Sequence, residues 1–245
     1  MQTLPELEVL FDAARAGVQI GLPAALQRAH GGDLWLAREC VISNFVESVD
    51  GVVAFPEAGR ESGAIVSGGS EADRLLMGLL RGCADAVLIG AGTLRAAPKD
   101  LWFPEAIYPA AAPLYAELRR ALRIAERPVL YVVSGSGQVD RSHPALRAGG
   151  ALIEGKLTPQ EILARVRAGG HQRILCEGGP GLFAEMLAAR LIDDLFITIA
   201  PRLFGRWAGD GRKSLTDKRD LGGIPLELLS ARRNGAHLFL RYRCG

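Results

Sequence analysis

Arg173-Ile174-Leu175-Cys176-Glu177-Gly178-Gly179-Pro180-Gly181 runs from a short apolar stretch straight into glycines, and the same arrangement occurs twice more in the chain. Val87-Leu88-Ile89 leads into Gly90-Ala91-Gly92-Thr93, and Tyr131-Val132-Val133 leads into Ser134-Gly135-Ser136-Gly137. A single glycine after a strand usually does no more than turn the chain. Three such turns have a further reading, because ligands of open α/β sheets bind beyond the carboxyl ends of the strands. Glycines let the backbone approach a phosphate closely, and the helical run that begins near Leu182 aims free N–H groups at an anion. A dinucleotide is therefore the expected ligand. The Gly-x-Gly-x-x-Gly fingerprint is missing and the densest glycine cluster follows a late strand, which argues against an ordinary Rossmann domain.

Working outward, strand candidates at Cys40 to Val46, Ala84 to Gly90, Val129 to Val133, Arg173 to Cys176 and Leu195 to Ile199 are short and rich in Val, Ile and Leu, as strands buried on both faces should be. Helical periodicity fills the gaps at Ser70 to Arg81, Pro113 to Ile124, Thr158 to Arg167 and Leu182 to Arg190. Such alternation predicts an α/β fold with a mostly parallel sheet and helices on both faces. Leu226 to Arg233 and His237 to Tyr242 flank Asn234-Gly235, a strong hairpin signal, so the parallel sheet gains an antiparallel C-terminal edge. At the other end, the spacing of Leu7, Leu10, Phe11 and Ala14 predicts a helix from Leu4 to Arg15, with a second over Leu22 to Ala29. Residues 1–33 are thus expected to form a helical extension packed on a main domain of residues 34–245.

The 245 residues carry a net charge of +2 with no long basic run, so nothing asks for nucleic acid or a membrane surface as partner. No apolar stretch approaches the roughly 20 residues of a membrane helix, and a cytoplasmic protein is expected. Cys40, Cys83, Cys176 and Cys244 lack metal-ligand spacing and read as buried reduced thiols; no metal is expected.

The first long strand ends in Asn44-Phe45-Val46-Glu47-Ser48-Val49-Asp50-Gly51, where Asp-Gly alone signals only a turn. Together with Leu80 to Thr93, with Glu177-Gly178-Gly179-Pro180 followed by Leu191-Ile192-Asp193-Asp194-Leu195, and with Ala200-Pro201-Arg202-Leu203-Phe204-Gly205, this block resembles the successive signatures of the RibD C-terminal reductase family. The resemblance covers Leu34 to the C-terminus and implies a dihydrofolate-reductase-like fold that binds NADPH. It places Gly90, Ala91, Gly92 and Thr93 in the cofactor-contacting turn. Gly178, Gly179, Pro180 and Gly181 fall in the pyrophosphate turn, and Ser134, Gly135 and Ser136 lie near the adenosine ribose, where Arg141 is a candidate for a 2′-phosphate. Asn44 and Ser48 fall among substrate-binding positions, and Asp50 and Glu177 are the candidate catalytic carboxylates, for orientation or proton relay. As competing roles, Glu177 caps the following helix and Asp50 holds its turn.

The activity so implied is reduction of the ribosylamino group of 5-amino-6-(5-phosphoribosylamino)uracil to a ribitylamino group, in riboflavin biosynthesis, by a homodimer. Two departures bear on the substrate. Arg95-Ala96-Ala97-Pro98-Lys99-Asp100 stands where the family has an Asp-Asp-Pro segment, so both acids are alanines, and Asn44 stands where many members have Lys. Lys99 and Asp100 are candidate replacements, and Leu101-Trp102-Phe103-Pro104 reads either as an aromatic lid or as a packed loop. The His-x-Glu and Pro-Cys-x-x-Cys zinc signature of a fused deaminase is missing. Alternatives are a reductase of another heterocycle such as dihydrofolate, and a nucleotide-binding relative without catalysis.

Overall fold

A computed structural model of the chain describes residues 3–56, 63–205, 207, 209–217 and 219–245. Strand β1 (Glu8–Asp12) opens the chain, and β2 (Val18–Gln19) pairs with β3 (Trp35–Leu36) in a small ribbon around helix α1 (Ala24–His30). The long strand β4 (Cys40–Ser48) follows, then α2 (Gly63–Ser67) and α3 (Glu71–Cys83). Next come β5 (Ala86–Gly90), α4 (Ala91–Ala96), α5 (Pro104–Ile107), a 3-10 turn (Pro109–Ala111) and α6 (Ala112–Leu122). Strand β6 (Val129–Ser134), α7 (Pro144–Arg147), β7 (Ala151–Glu154), α8 (Pro159–Ala168), β8 (Arg173–Cys176), α9 (Pro180–Ala188) and β9 (Asp194–Ala200) continue the alternation. A hairpin of β10 (Leu226–Asn234) and β11 (His237–Cys244) completes it.

Among the described residues nine strands form one sheet in the order β1-β10-β11-β9-β4-β8-β5-β6-β7. The six from β9 to β7 are mutually parallel, whereas β11, β10 and β1 join antiparallel. Both faces are covered. Leu26 of α1, Leu75, Leu76 and Leu79 of α3, and Tyr115 and Leu118 of α6 pack over Ile42, Val87 and Phe196 on one side. Ile162 and Val166 of α8 with Phe183 and Met186 of α9 pack over Val41, Leu88 and Ile197 on the other. Helix starts follow local chemistry: Ser70 accepts from Asp73 N at 3.2 Å, and Thr158 with Glu161 forms a reciprocal capping box ahead of Pro159.

The expected helix over Leu4 to Arg15 is instead strand β1, paired with β10 from Glu8↔Arg233 to Asp12↔Ser230. Residues 1–33 therefore contribute an edge strand to the main sheet, and α1 is their one helix among the described residues. Glu8-Val9-Leu10-Phe11-Asp12 carries β-prone residues whose spacing also satisfies a helical template. The strand wins because it satisfies the open backbone edge of β10 and sets Asp12 2.8 Å from the buried Arg232.

Strand lengths create the feature that matters for function. Cys176, the last residue of β8, lies opposite Ser43 and Leu88, but β4 runs on to Ser48 and β9 to Ala200. The carboxyl edge of the sheet therefore has a notch above β8, with the overhang of β4 and β9 on one side and β5, which runs on to Gly90, on the other.

Candidate functional site

The three glycine turns lie at the ends of β8, β5 and β6, which are adjacent strands. Two of them are bonded to each other: Gly90 N donates to Gly178 O at 2.6 Å, and Glu177 N donates to Leu88 O at 3.1 Å. Gly178 has φ +76°, and a Cβ there would lie 2.6 Å from the Phe45 ring, so only glycine fits; the Gly178–Gly179 peptide is cis. A Cβ at Gly179 would come within 3.1 Å of Thr93 Oγ1. Helix α9 starts at Pro180 behind Gly179, with no side-chain cap on its first N–H groups, and a Cβ at Gly181 would meet nothing within 4 Å. Uncapped amides facing open space at a helix N-terminus are what a phosphate requires. Gly90-Ala91-Gly92-Thr93, read from sequence as a turn, is in fact the start of the short helix α4.

On the third turn Ser134 is buried, while Gly135 and Ser136 are exposed, with no atom within 4 Å of a Cβ at Gly135. Arg141, the candidate for an additional phosphate, donates through Nη2 to both oxygens of Glu154 at 3.0 Å. Its charge is shared with a carboxylate from the end of the neighbouring strand.

Glu177 sits at the floor of the notch and is held by Arg81 of α3, Nε to Oε1 and Nη2 to Oε2 both at 2.8 Å. Asp100 Oδ2 stands 3.6 Å from the same guanidinium. Burial by itself lowers the Arg81 pKa, but Glu177 and Asp100 reverse this and leave it raised. Asp100 thus joins the buried charge cluster, while Lys99 points to solvent. Trp102 and Phe103 are buried, Trp102 beside the His143 ring and Phe103 under Arg127, so this segment is a packed loop and not an open aromatic lid.

Asp50 lies further out, past the end of β4. Ser48 Oγ donates to its Oδ1 at 2.5 Å, and Phe204 N and Gly205 N donate to its Oδ2 at 3.0 and 2.7 Å. Burial raises its pKa, but these bonds outweigh burial and hold the carboxyl below its ordinary value. Ser48 Oγ also accepts from Val52 N at 2.9 Å. Asp50 and Ser48 consequently tie the turn after β4 to the loop after β9.

Asn44 lies on β4 one residue past its last pair with β8, Ser43↔Cys176, and its Oδ1 is buried without a partner. Sequence reasoning missed three residues around it: Arg81 and Asp73 on α3, and Thr198 on β9. All are buried, and Arg81 Nη1 and Thr198 Oγ1 also have no partner. Their sequence signals were bland. Asp73 reads as an ordinary first-turn acid, Arg81 as an ordinary last-turn base, and Thr198 as a strand former.

The four cysteines are free and buried, and burial raises their thiols, that of Cys176 to about 12, so none is a ready nucleophile. Among the described residues there is no cluster of His, Cys, Asp and Glu suited to a metal, and no helix long and apolar enough to cross a membrane.

Comparison with known proteins gives consistent results. The family model for the RibD C-terminal domain matches residues 39–240. No curated protein matches the sequence. Among solved structures, a pyrimidine reductase-like protein from Corynebacterium diphtheriae is 20% identical, covering 91% of this chain and 95% of that one, with TM-score 0.64. RibD from Acinetobacter baumannii is 16% identical with TM-score 0.66, covering 90% of this chain but 60% of that protein. Dihydrofolate reductase from Enterococcus faecalis, complexed with NADP(H), is 12% identical with TM-score 0.50, covering 84% of this chain and 96% of that one. At these identities the likeness to solved structures is one of fold.

Proposed function

Since the chain belongs to the RibD C-terminal domain family, we propose that it is an NADPH-dependent reductase of the riboflavin-pathway type, acting on a phosphorylated ribosylaminopyrimidine such as 5-amino-6-(5-phosphoribosylamino)uracil. The observation that carries this reading is the meeting of the Gly90 and Gly178 turns beside the uncapped N-terminus of α9, directly above the notch. The open side of Gly181 leaves room for a pyrophosphate against the first amides of α9, and Gly135 and Ser136 leave room for an adenosine ribose on the neighbouring strand.

When bound, the nicotinamide supplies the hydride. The acceptor is the ribose C1 in its ring-opened imine form; it gains the hydride, the imine nitrogen takes a proton, and the ring oxygen is left as a hydroxyl. The chain's share of the work is positioning and exclusion of water. Arg81 holds Glu177 so that the Glu177-Gly178 backbone presents the pyrophosphate turn in one geometry. Asp50 and Ser48 fix the loop that carries Phe204 and Gly205 over the outer end of the notch. We assign Glu177 and Asp50 to these positioning roles, since the oxygens of each are already engaged.

A second reading, reduction of a pterin such as dihydrofolate, is favoured by Ala96 and Ala97, which give a sugar phosphate nothing to bind. Purified protein with NADPH and each substrate separates the two. Oxidation of NADPH with the ribosylaminopyrimidine phosphate supports the first reading; oxidation only with dihydrofolate replaces it. A homodimer is part of the proposal, and Val9, Leu10 and Phe11 on edge strand β1 supply an exposed apolar strip for it. Sedimentation of the full chain tests this.

A further inference from the structure

Glu154 ends β7, the outermost strand on its side of the sheet, in register with Ser134 at the end of β6. The chain then turns back at once, with Gly155 N donating to Ser134 O at 3.1 Å. The Glu154 carboxylate leans over the neighbouring turn: a Cβ on Gly137 would lie 3.6 Å from its Oε1. Arg141, from the far end of that turn, donates through Nη2 to both carboxylate oxygens at 3.0 Å. The two side chains are 71% and 40% exposed, and a pair that open contributes little to stability. Holding the fold together therefore does not explain why the two groups meet here.

Their place suggests another task, because the same turn offers open space beside Gly135 and Ser136 for an adenosine ribose. Across Ser134–Ser142 and Glu154–Lys156 the acids Asp140 and Glu154 balance the bases Arg141 and Lys156. Asp140 is engaged locally, accepting from Ser142 N at 2.8 Å and from Ser142 Oγ at 2.6 Å. A phosphate monoester carries roughly 1.5 to 2 negative charges near neutral pH and is best held by a free arginine fork. Here the guanidinium is already engaged, and a phosphate that reached it would stand against the Glu154 carboxylate. A ribose hydroxyl makes the opposite demand, since it is neutral and donates to a carboxylate. In dinucleotide sites an acid takes the 2′-hydroxyl, whereas a nearby arginine accommodates a 2′-phosphate. This corner holds one of each, bonded to the other.

Resting on the reductase reading of this cleft, we propose that Glu154 sets the choice between the two nicotinamide dinucleotides. It holds Arg141 away from a 2′-phosphate and accepts from the ribose 2′-hydroxyl, so that the chain takes NADH about as readily as NADPH. The exposed Lys156 and the shared charge of Arg141 keep NADPH acceptable. Glu154 stands at the adenosine end of the cofactor and touches no reacting atom, so its effect is on which dinucleotide binds and not on hydride transfer once either is in place.

Fluorescence titration of the full chain with NADPH and with NADH reads the choice directly, without turnover. The wild-type Kd values are expected to lie within about tenfold of each other. Glu154→Gln removes the charge and keeps the shape; it should tighten NADPH by about tenfold and weaken NADH, and adding Arg141→Met should cancel the NADPH gain. Melting temperatures of the variants should stay close to that of the wild type, as expected for an exposed pair. A wild-type preference for NADPH well beyond about tenfold overturns the proposal, and that comparison needs no variant to fold. An NADPH-to-NADH ratio unchanged in Glu154→Gln overturns it too. If the ratio shifts as expected but neither a ribosylaminopyrimidine phosphate nor dihydrofolate is reduced, the role of Glu154 stands and the reductase reading falls. If neither dinucleotide binds, both fall.

Discussion

Arg81 and Glu177, 96 residues apart in sequence, meet through two parallel 2.8 Å bonds and are nearly inaccessible, with side chains 2% and 8% exposed. The pair joins helix α3 to the Gly178 turn. Removing one partner strands the other charge in a dry site. Arg81→Met is expected to destabilise the protein by about 3–5 kcal/mol. Urea denaturation checks this, and a loss below about 1 kcal/mol would show that the pair is solvated in solution.

The space beside Gly181 gives a cleaner test of phosphate placement than Gly178, where a side chain strikes Phe45. Gly181→Ala adds a methyl group into open space within the first turn of α9, where Ala is the better helix former by up to about 1 kcal/mol. The melting temperature should hold or rise while NADPH affinity falls at least tenfold in a fluorescence titration. Undiminished affinity would move the pyrophosphate elsewhere.

Asp50 should act through the loop it ties down. Asp50→Ala removes acceptors from Ser48, Phe204 and Gly205, with an expected stability loss on the order of 1 kcal/mol and a fall in kcat/KM without a change in NADPH affinity. The carboxyl is held below its ordinary value in the folded protein. Its contribution is therefore present above that ordinary value and disappears as pH falls through the lowered one. Wild type and variant should converge in stability under strongly acidic conditions, and a constant gap down the pH scale would show that the carboxylate's charge is not what matters.

Asp73 has the opposite sign. Burial pushes its folded-state value up to about 6, above the ordinary carboxyl value of 3.8, so its relative contribution is fully present below that ordinary value and is lost as pH rises through about 6. Thermal melts should show Asp73→Asn gaining on the wild type as pH rises from 3.8 to about 6 and holding a constant difference above that, by a few degrees at most. A variant less stable at every pH would mean that the carboxylate serves the fold itself.

Much of this architecture was legible before any coordinates. Val87 to Thr93, Tyr131 to Gly137 and Ile174 to Gly181 carry their strand-then-glycine pattern within windows of a few residues, and Asn234-Gly235 specifies its hairpin in the same local way. The β1 segment was misread because Leu7, Leu10, Phe11 and Ala14 satisfy a helical template, and only the open edge of β10, more than two hundred residues away, settles the matter. Glu177 and Asn44 stand out in the sequence as candidate site positions from the motifs around them. Their partners Arg81, Asp73 and Thr198 were not, since each is unremarkable beside its sequence neighbours.

The residue pattern alone thus determined most of the alternation of strands and helices from β4 onward, the antiparallel close and the glycine turns, because periodicity and turn chemistry are short-range properties. The tertiary structure decided that β8, β5 and β6 are neighbours and that β4 and β9 outrun them. It also decided which charges are paired, Arg81 with Glu177 and Arg141 with Glu154, and which buried polar atoms stay unmet, Asn44 Oδ1 and Arg81 Nη1 among them. Those outcomes depend on strand order and on burial in a low-dielectric interior, which are set by the whole chain packing at once.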